Sequence, residues 1–323
     1  MKWKSNLKEK CNAMNTVILI VGPTGTGKTD LSVKLAKLID AEIISCDSMQ
    51  IYKGMDIGTA KVTSDEMQGV PHHMIDIVTP FDIYSVSNFC SDAKECAHSV
   101  FAKGKPVIMV GGTGLYADSF VKDIDFTETG SSDEIRRELG EFCEKNGVEA
   151  LHEMLEAIDP ESAGAIHMNN TKRVIRAIEY YRLTGETISE HNRRTKEKPS
   201  PYNYVYIGLT RDRDELYARI NKRVDIMMQR GLLAEVWTLY KMGLSDRHTS
   251  MQALGYKELI WYLKGKCTLG EAVEILKRDS RRYAKRQLTW FGRNSEINWI
   301  NLSSTDKALE EAVSVLKNKG VIA

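Results

Sequence analysis

Gly22-Pro-Thr-Gly-Thr-Gly-Lys-Thr29 is the stretch on which the fold turns. Its spacing is that of a phosphate-binding P-loop, G-x-x-x-x-G-K-[ST]. Gly22, Gly25 and Gly27, interleaved with Pro23, Thr24 and Thr26, let backbone N–H groups turn inward around phosphate oxygens. A helix starting at Lys28 adds partial positive charge from its N-terminus. Lys28 supplies a mobile cation for the terminal phosphate, and Thr29 offers a hydroxyl to Mg²⁺. A chance glycine turn with a lysine is the plainer reading, but a strand before and a helix after argue against it.

The flanks set the rest. Thr16–Val21 is an apolar, β-branched run and reads as a buried parallel strand. Lys28–Ile39 follows as a helix with Leu31, Leu35 and Leu38 on one face. Ala41–Cys46 reads as a second strand ending at Asp47, and Pro106–Val110 as a third ending in Gly111-Gly-Thr-Gly114. Strand–helix–strand order with turns at strand C-ends predicts a doubly wound parallel sheet. From Asp125 to about Pro201 the periodicity is helical, with no strand pattern, and Pro199-Ser-Pro201 breaks the chain. Tyr204–Thr210 then reads as a strand and Arg213–Arg230 as a helix. The chain to about Tyr262 is helical, and Glu271–Trp290 forms a further basic helix. The expected fold is α/β: a P-loop NTPase-like parallel sheet core with a helical insertion domain. The core takes residues 15–125 and 202–323, with C-terminal helices, and the insertion 126–201. Residues 1–14 are expected to be an N-terminal extension.

Composition excludes several classes. At 323 residues, 42% hydrophobic and 28% charged, the chain can bury a core as one large domain or two smaller ones. A net charge of +1 gives no overall field toward nucleic acid or membrane, so any such attraction is local. The longest apolar run, around Val17–Val21, is far short of a membrane span, and Met1–Asn15 lacks the apolar stretch of a signal peptide. The six cysteines, Cys11, Cys46, Cys90, Cys96, Cys143 and Cys267, form no C-x-x-C pair. They read as reduced thiols of a cytoplasmic protein.

Nucleotide-cleaving P-loop enzymes carry an acid after a later strand. Here the third strand ends in glycines, and the nearest acid is Asp47. Strand C-ends line the ligand crevice of such sheets, so Asp47 either faces the phosphate site or caps the next turn. The Gly111-Gly-Thr-Gly114 turn either admits a close approach or is an ordinary strand-to-helix turn. Arg219 and Arg223 share one helix face and either clamp a pyrophosphate or serve the surface. Two basic stretches stand out. Residues 172–198 hold eight cations against four glutamates, and 277–293 hold seven against Asp279 alone, with Tyr283, Trp290 and Phe291 interleaved. Cations with aromatics suit a nucleic acid through phosphate contacts and base stacking, where a solvated helix face is the alternative.

Several motifs occur in order from about Asn15 to Ile300. They are the P-loop, Asp47-Ser-Met-Gln-Ile-Tyr-Lys-Gly54 with Ile57-Gly-Thr-Ala-Lys61, and Pro71-His-His73 with Ile75-Asp76. Val110-Gly-Gly-Thr-Gly-Leu-Tyr116, Lys172-Arg-Val-Ile-Arg-Ala-Ile-Glu179, Gln252-Ala-Leu-Gly-Tyr-Lys-Glu258 and Tyr283-Ala-Lys-Arg-Gln-Leu-Thr-Trp290 complete the series. In this the chain resembles the bacterial-type tRNA dimethylallyltransferases, also called tRNA isopentenyltransferases. It departs at Asn169-Asn-Thr-Lys-Arg173, where the family often has Asp-Pro before the basic pair. It also lacks the Cys/His cluster of the eukaryotic relatives' zinc finger.

The resemblance implies transfer of a dimethylallyl group from dimethylallyl diphosphate to N6 of the tRNA adenosine immediately 3′ of the anticodon. It implies that the P-loop, Gly22 to Thr29, and Mg²⁺ at Thr29 hold the donor's diphosphate. Asp47 is then the general base and Thr113 lies beside the adenine. Lys28 and Arg223, with Arg219, steady the leaving group. The segments implied to grip the anticodon stem-loop include Asp47, Ser48, Met49, Gln50 and Thr113, then Lys172, Arg173 and Arg176, and Gln252, Gly255 and Tyr256. Lys285, Arg286, Gln287, Thr289 and Trp290 complete that set. The resemblance also implies a monomer. The alternatives are a P-loop small-molecule kinase and a prenyltransferase acting on free AMP.

Overall fold

The computed structural model describes residues 15–124, 132–303 and 307–322. The expected extension, 1–14, lies outside them, as does the expected boundary at 125/126. Strands β1 (Thr16–Val21), β2 (Glu42–Ser45), β3 (His72–His73), β4 (Val107–Val110), β5 (Asn203–Thr210) and β6 (Asn298–Asn301) form one sheet in the order β3-β2-β4-β1-β5-β6. Every pairing is parallel. Helices α1 (Lys28–Ile39), α2 (Ser64–Met67), α3 (Val86–Phe101) and α4 (Gly114–Val121) belong to the first half. α5 (Asp133–Ile158), α6 (Pro160–Ala165), α7 (Thr171–Thr184) and α8 (Ile188–Glu197) follow. Then come α9 (Arg213–Gln229), α10 (Leu232–Lys241), α11 (Tyr256–Leu263), α12 (Leu269–Phe291) and α13 (Ala308–Asn318).

Contacts divide the chain into two units, 1–121 with 201–323, and 122–200. In the first, β1 is buried at all six positions. Its alternate residues Ile18 and Ile20 join Leu31, Leu35 and Ile39 of α1 and Ala312 and Leu316 of α13 in one core. The intervening Val17, Leu19 and Val21 are equally buried. A strand covered on both faces loses the polar–apolar alternation, which is why β1 reads as a continuous apolar run. Burying each such side chain stabilises the fold by roughly 1.5–3 kcal/mol. A second core joins Ile51, Tyr52 and Met55, from the segment after β2, to Val224, Leu232, Val236, Tyr256, Leu259 and Leu276 of α9 to α12. That core fixes the β2–β3 segment beside the strand C-ends, where the site lies.

The second unit is helical. α5, broken at Gly147 (φ 92°), packs with α6 and α7 around Leu139, Leu151, Leu155, Val174 and Ile178. Buried Glu179 organises one side of it. It accepts the Ser132 N–H at 2.9 Å and pairs with Arg136 at 2.9 Å and Arg176 at 2.8 Å. These bonds hold its carboxyl below the usual range although burial works the other way.

Two strands absent from the sequence reading appear at the sheet edges. β3 has two residues, and β6 reads Asn298-Trp-Ile-Asn301, with only two apolar residues between its asparagines. Neither has a pattern of its own, and both exist through pairing with β2 and β5. β2 is also shorter than expected, without Ala41 and Cys46.

Candidate active site

The Gly22–Thr29 loop is shaped by what surrounds it. At Gly22 φ is 131°, and a Cβ there would come within 2.2 Å of the Leu209 carbonyl oxygen of β5, so only glycine fits. Buried Thr26 donates its hydroxyl to the Pro23 carbonyl at 2.9 Å, closing the loop on itself. Lys28 Nζ donates to the Gly22 and Pro23 carbonyls at 2.9 and 2.8 Å. Burial and the neighbouring Arg223 push the Lys28 pKa down to about 8, against the opposing charge of Asp47. The chain therefore concentrates positive charge at a desolvated point, which an anion would relieve.

Asp47 lies just past the C-end of β2. Its Oδ1 accepts the Met49 N–H at 2.9 Å, so it caps the next turn, and the residue also lines the cavity. Both readings open at the level of sequence are thus realised in one side chain. Arg223, on α9, lines the same cavity. Burial lowers its pKa, while Asp47 raises it. Arg219, one turn earlier, is exposed, and its Nε donates to the Gly25 carbonyl at 2.9 Å. Arg223 therefore faces the pocket, and Arg219 buttresses the loop. Thr113 accepts the Ser48 N–H at 3.2 Å and hydrogen-bonds Tyr283. Burial, then the charge of Asp47, pushes the Tyr283 hydroxyl up to about 12.

Of these groups, Lys28, Asp47, Ser48, Arg223 and Tyr283 line a cavity of about 400 Å³, while Thr113 and Arg219 stand behind its lining. One side is polar, with Thr24, Gly25, Gly27, Lys28, Thr29, Asp47 and Arg223. Another is apolar, with Ile220, Val224 and Met227 of α9 and Leu276 of α12. Sequence reading missed that wall. Its signal, an i, i+4, i+7 stripe, is also that of any helix packed on a core. Lys257 lines the cavity too and was not singled out. Among the described residues no group of three or more His, Cys, Asp or Glu is placed to hold a metal ion. None of their helices is long and apolar enough to cross a membrane.

The residues expected at the RNA fall into two classes. Ser48, Met49, Gln50, Gln252, Arg286 and Gln287 line the cavity, and Lys285 and Thr289 are exposed on α12. In the second unit, Lys172 and Arg173 are exposed, whereas Arg176 is bonded to Glu179. Three others are turned to internal use. Tyr256 is fully buried, and its hydroxyl donates to Glu235 at 2.6 Å. Gly255 is buried beneath the α11 N-terminus. Trp290 donates its indole N–H to Asp118 at 2.8 Å and packs where a Cβ on Gly114 would come within 2.2 Å of its ring. These three support the surface that the exposed residues present. Glu235, also missed, accepts the N–H groups of Asp56, Ile57 and Gly58 at 2.9, 2.8 and 3.1 Å, which pins the cavity wall at 58–60.

A family model described as IPP transferase matches residues 50–294. The chain belongs to the IPP transferase family. Its relatives in that family include the tRNA dimethylallyltransferase of Lachnoclostridium phytofermentans, 48% identical over 96% of this chain and 100% of the relative. Among solved structures, the tRNA isopentenylpyrophosphate transferase of Bacillus halodurans superimposes with a TM-score of 0.71 at 46% identity, over 95% of this chain and 98% of that one. A eukaryotic dimethylallyltransferase acting on tRNA gives a TM-score of 0.79 at 28% identity, covering 95% and 79%. The parallel α/β sheet expected from the P-loop and its flanks is the fold of this IPP transferase family member.

Proposed function

We propose that the chain transfers a dimethylallyl group from dimethylallyl diphosphate to N6 of the adenosine immediately 3′ of the anticodon in tRNA, releasing diphosphate. The observation that carries this reading is the single cavity joining Lys28 and Arg223, an apolar wall, and Asp47, with the exposed basic turn of α12 at Arg286 on its lining. That combination suits an anionic head, a short hydrocarbon and an RNA base at once.

In the reaction, a bond forms between N6 and the allylic carbon as the carbon–oxygen bond to diphosphate breaks. The diphosphate leaves with the electron pair. Lys28, Arg223 and the loop N–H groups stabilise its growing negative charge in a site where they are fixed in advance. The N6 proton passes to Asp47, since an exocyclic amine is a weak nucleophile until it is deprotonated. Thr113 orients the base beside Ser48. The apolar wall of Ile220, Val224, Met227 and Leu276 takes the hydrocarbon and excludes water from the cationic carbon. The target base must leave its stack to enter.

Thr29 fits Mg²⁺: it lies in the first turn of α1, on the cavity lining beside Lys28. Its hydroxyl is a hard oxygen donor of the kind Mg²⁺ takes with phosphate oxygens and water. Bound there, Mg²⁺ would supply further positive charge to the leaving diphosphate.

The test is incubation with dimethylallyl diphosphate, Mg²⁺ and unmodified tRNA, followed by mass analysis of the target nucleoside. Parallel arms replace tRNA by AMP, or the donor by ATP with a small hydroxyl acceptor. Prenylated adenosine in tRNA is expected; modification of AMP alone, or turnover of ATP alone, overturns the proposal.

A further inference from the structure

Gln287 sits on the RNA-facing helix α12, yet its side chain is spent inside the protein. It is 5% exposed. Its Oε1 accepts the Thr24 N–H of the P-loop at 3.0 Å, and its Nε2 donates to the Gly112 carbonyl after β4 at 3.0 Å. A Cβ on Gly112 would lie 2.0 Å from that Nε2, so the glycine is what admits the amide. Two further contacts repeat the pattern along α12. Tyr283, one turn before, bonds Thr113, and Trp290, one turn after, bonds Asp118. The helix is thus latched at three successive turns to the segment after β4. Gln287 alone of the three also reaches the donor loop. The next residues back, Lys285 and Arg286, are exposed.

We propose that Gln287 is a positioning residue that fixes the diphosphate loop in register with the helix presenting the acceptor RNA. The proposal rests on the function given above. A neutral amide suits this place because it offers one acceptor and one donor, and the two backbone groups it meets are one N–H and one C=O. Glutamate could satisfy only Thr24, and lysine only Gly112. Reaction between two bound substrates requires their atoms to be held within a fraction of an ångström, so a loosened loop costs rate even where both still bind.

Gln287→Met keeps the shape and removes both hydrogen bonds. Gly112→Ala displaces the amide from the other side. For each variant and the double variant, three quantities are measured: the affinity for inorganic diphosphate by calorimetry, the tRNA dissociation constant without donor, and kcat with both substrates saturating. The expected result is a kcat loss of about tenfold or more and weakened diphosphate binding, with tRNA affinity within about twofold of the parent. The double variant should lose little beyond either single one, because both break the same latch. A tRNA affinity that drops with kcat and diphosphate affinity intact would mean that Gln287 contacts RNA directly, and would overturn the proposal. So would unchanged diphosphate affinity and kcat in both variants. Absence of transfer in the parent protein would instead count against the functional reading. The diphosphate affinities decide the latch in either case, and Gly112→Ala gives a second route if Gln287→Met does not fold.

Discussion

Two basic stretches look alike in the sequence and differ in the folded protein. In 172–198, Arg176 pairs with Glu179, Arg182 with Glu138, Arg193 with Glu161 and Arg194 with Glu186. In 277–293, Lys277 pairs with Asp225, Arg278 and Arg282 share Asp279, and Arg281 bonds Asn221. Both stretches therefore neutralise much of their charge internally. What remains differs. Lys285 and Arg286 on α12, and Arg293 just beyond its end, have no acidic partner among the described residues. Arg286 also lies over the Tyr283 ring at 5.5 Å and lines the cavity. In the helical unit, Lys172 and Arg173 at the α7 N-terminus, and Lys198 just after α8, are the exposed cations left over among the described residues. Counting cations along a chain overstates its free positive charge, and subtracting the paired ones shows where that charge remains.

The difference can be broken at several points. The largest effect belongs to the chemistry of the core. Asp47→Asn keeps the cap on the next turn and removes the base, so kcat should fall by about a thousandfold while tRNA affinity holds, measured by single-turnover transfer and filter binding. Next, Lys285→Ala with Arg286→Ala should weaken tRNA binding about tenfold and lower the slope of log affinity against log salt by about two. A smaller effect comes from Lys28. Its pKa of about 8 means that the ammonium is present below that pH and lost above it. Bound diphosphate favours the ammonium, so donor affinity should decline about fivefold to tenfold per pH unit above 8 and stay level well below it. In Lys28→Met that pH dependence should vanish in calorimetric titration. The smallest effect tests the subtraction itself. Arg193→Ala with Arg194→Ala should change tRNA affinity by less than about twofold, since both guanidinium groups already serve glutamates. A loss as large as that of the Lys285 and Arg286 pair would remove the distinction drawn between the two stretches.

The sequence displays the centre of the fold more clearly than its rim. β1, the P-loop and α1 are legible because the strand is buried on both faces, the Leu209 carbonyl forces Gly22, and positive φ favours glycine at 25 and 27. β3 and β6 are not, because edge strands of two and four residues take their conformation from partners distant in the chain. The site follows the same rule. Lys28 and Asp47 announce themselves as cavity residues by type and place, and Arg223 only as one of two arginines on a helix face. Gln287, expected only from the resemblance, and Ser280, which also lines the cavity, do not, since both lie in the buried stripe of α12 with Ala272, Leu276, Ala284 and Phe291. There a polar residue looks like an interruption of the stripe instead of a part of its packing. Tyr256 and Trp290 have an internal use that the sequence does not display: their polar atoms are committed to Glu235 and Asp118.

The bond between Thr24 and Gln287 joins residues 263 apart in the chain, and Glu235 reaches the Asp56 N–H across 179. During synthesis the N-terminal end emerges first, while contacts of such separation must wait for their second partner. A ribosome-bound chain can thus display its P-loop long before the loop has its clasp or the cavity its wall. The cavity is closed only once α12 has emerged, so the helix that completes the pocket also sets the earliest moment at which the newborn enzyme can hold a ligand there.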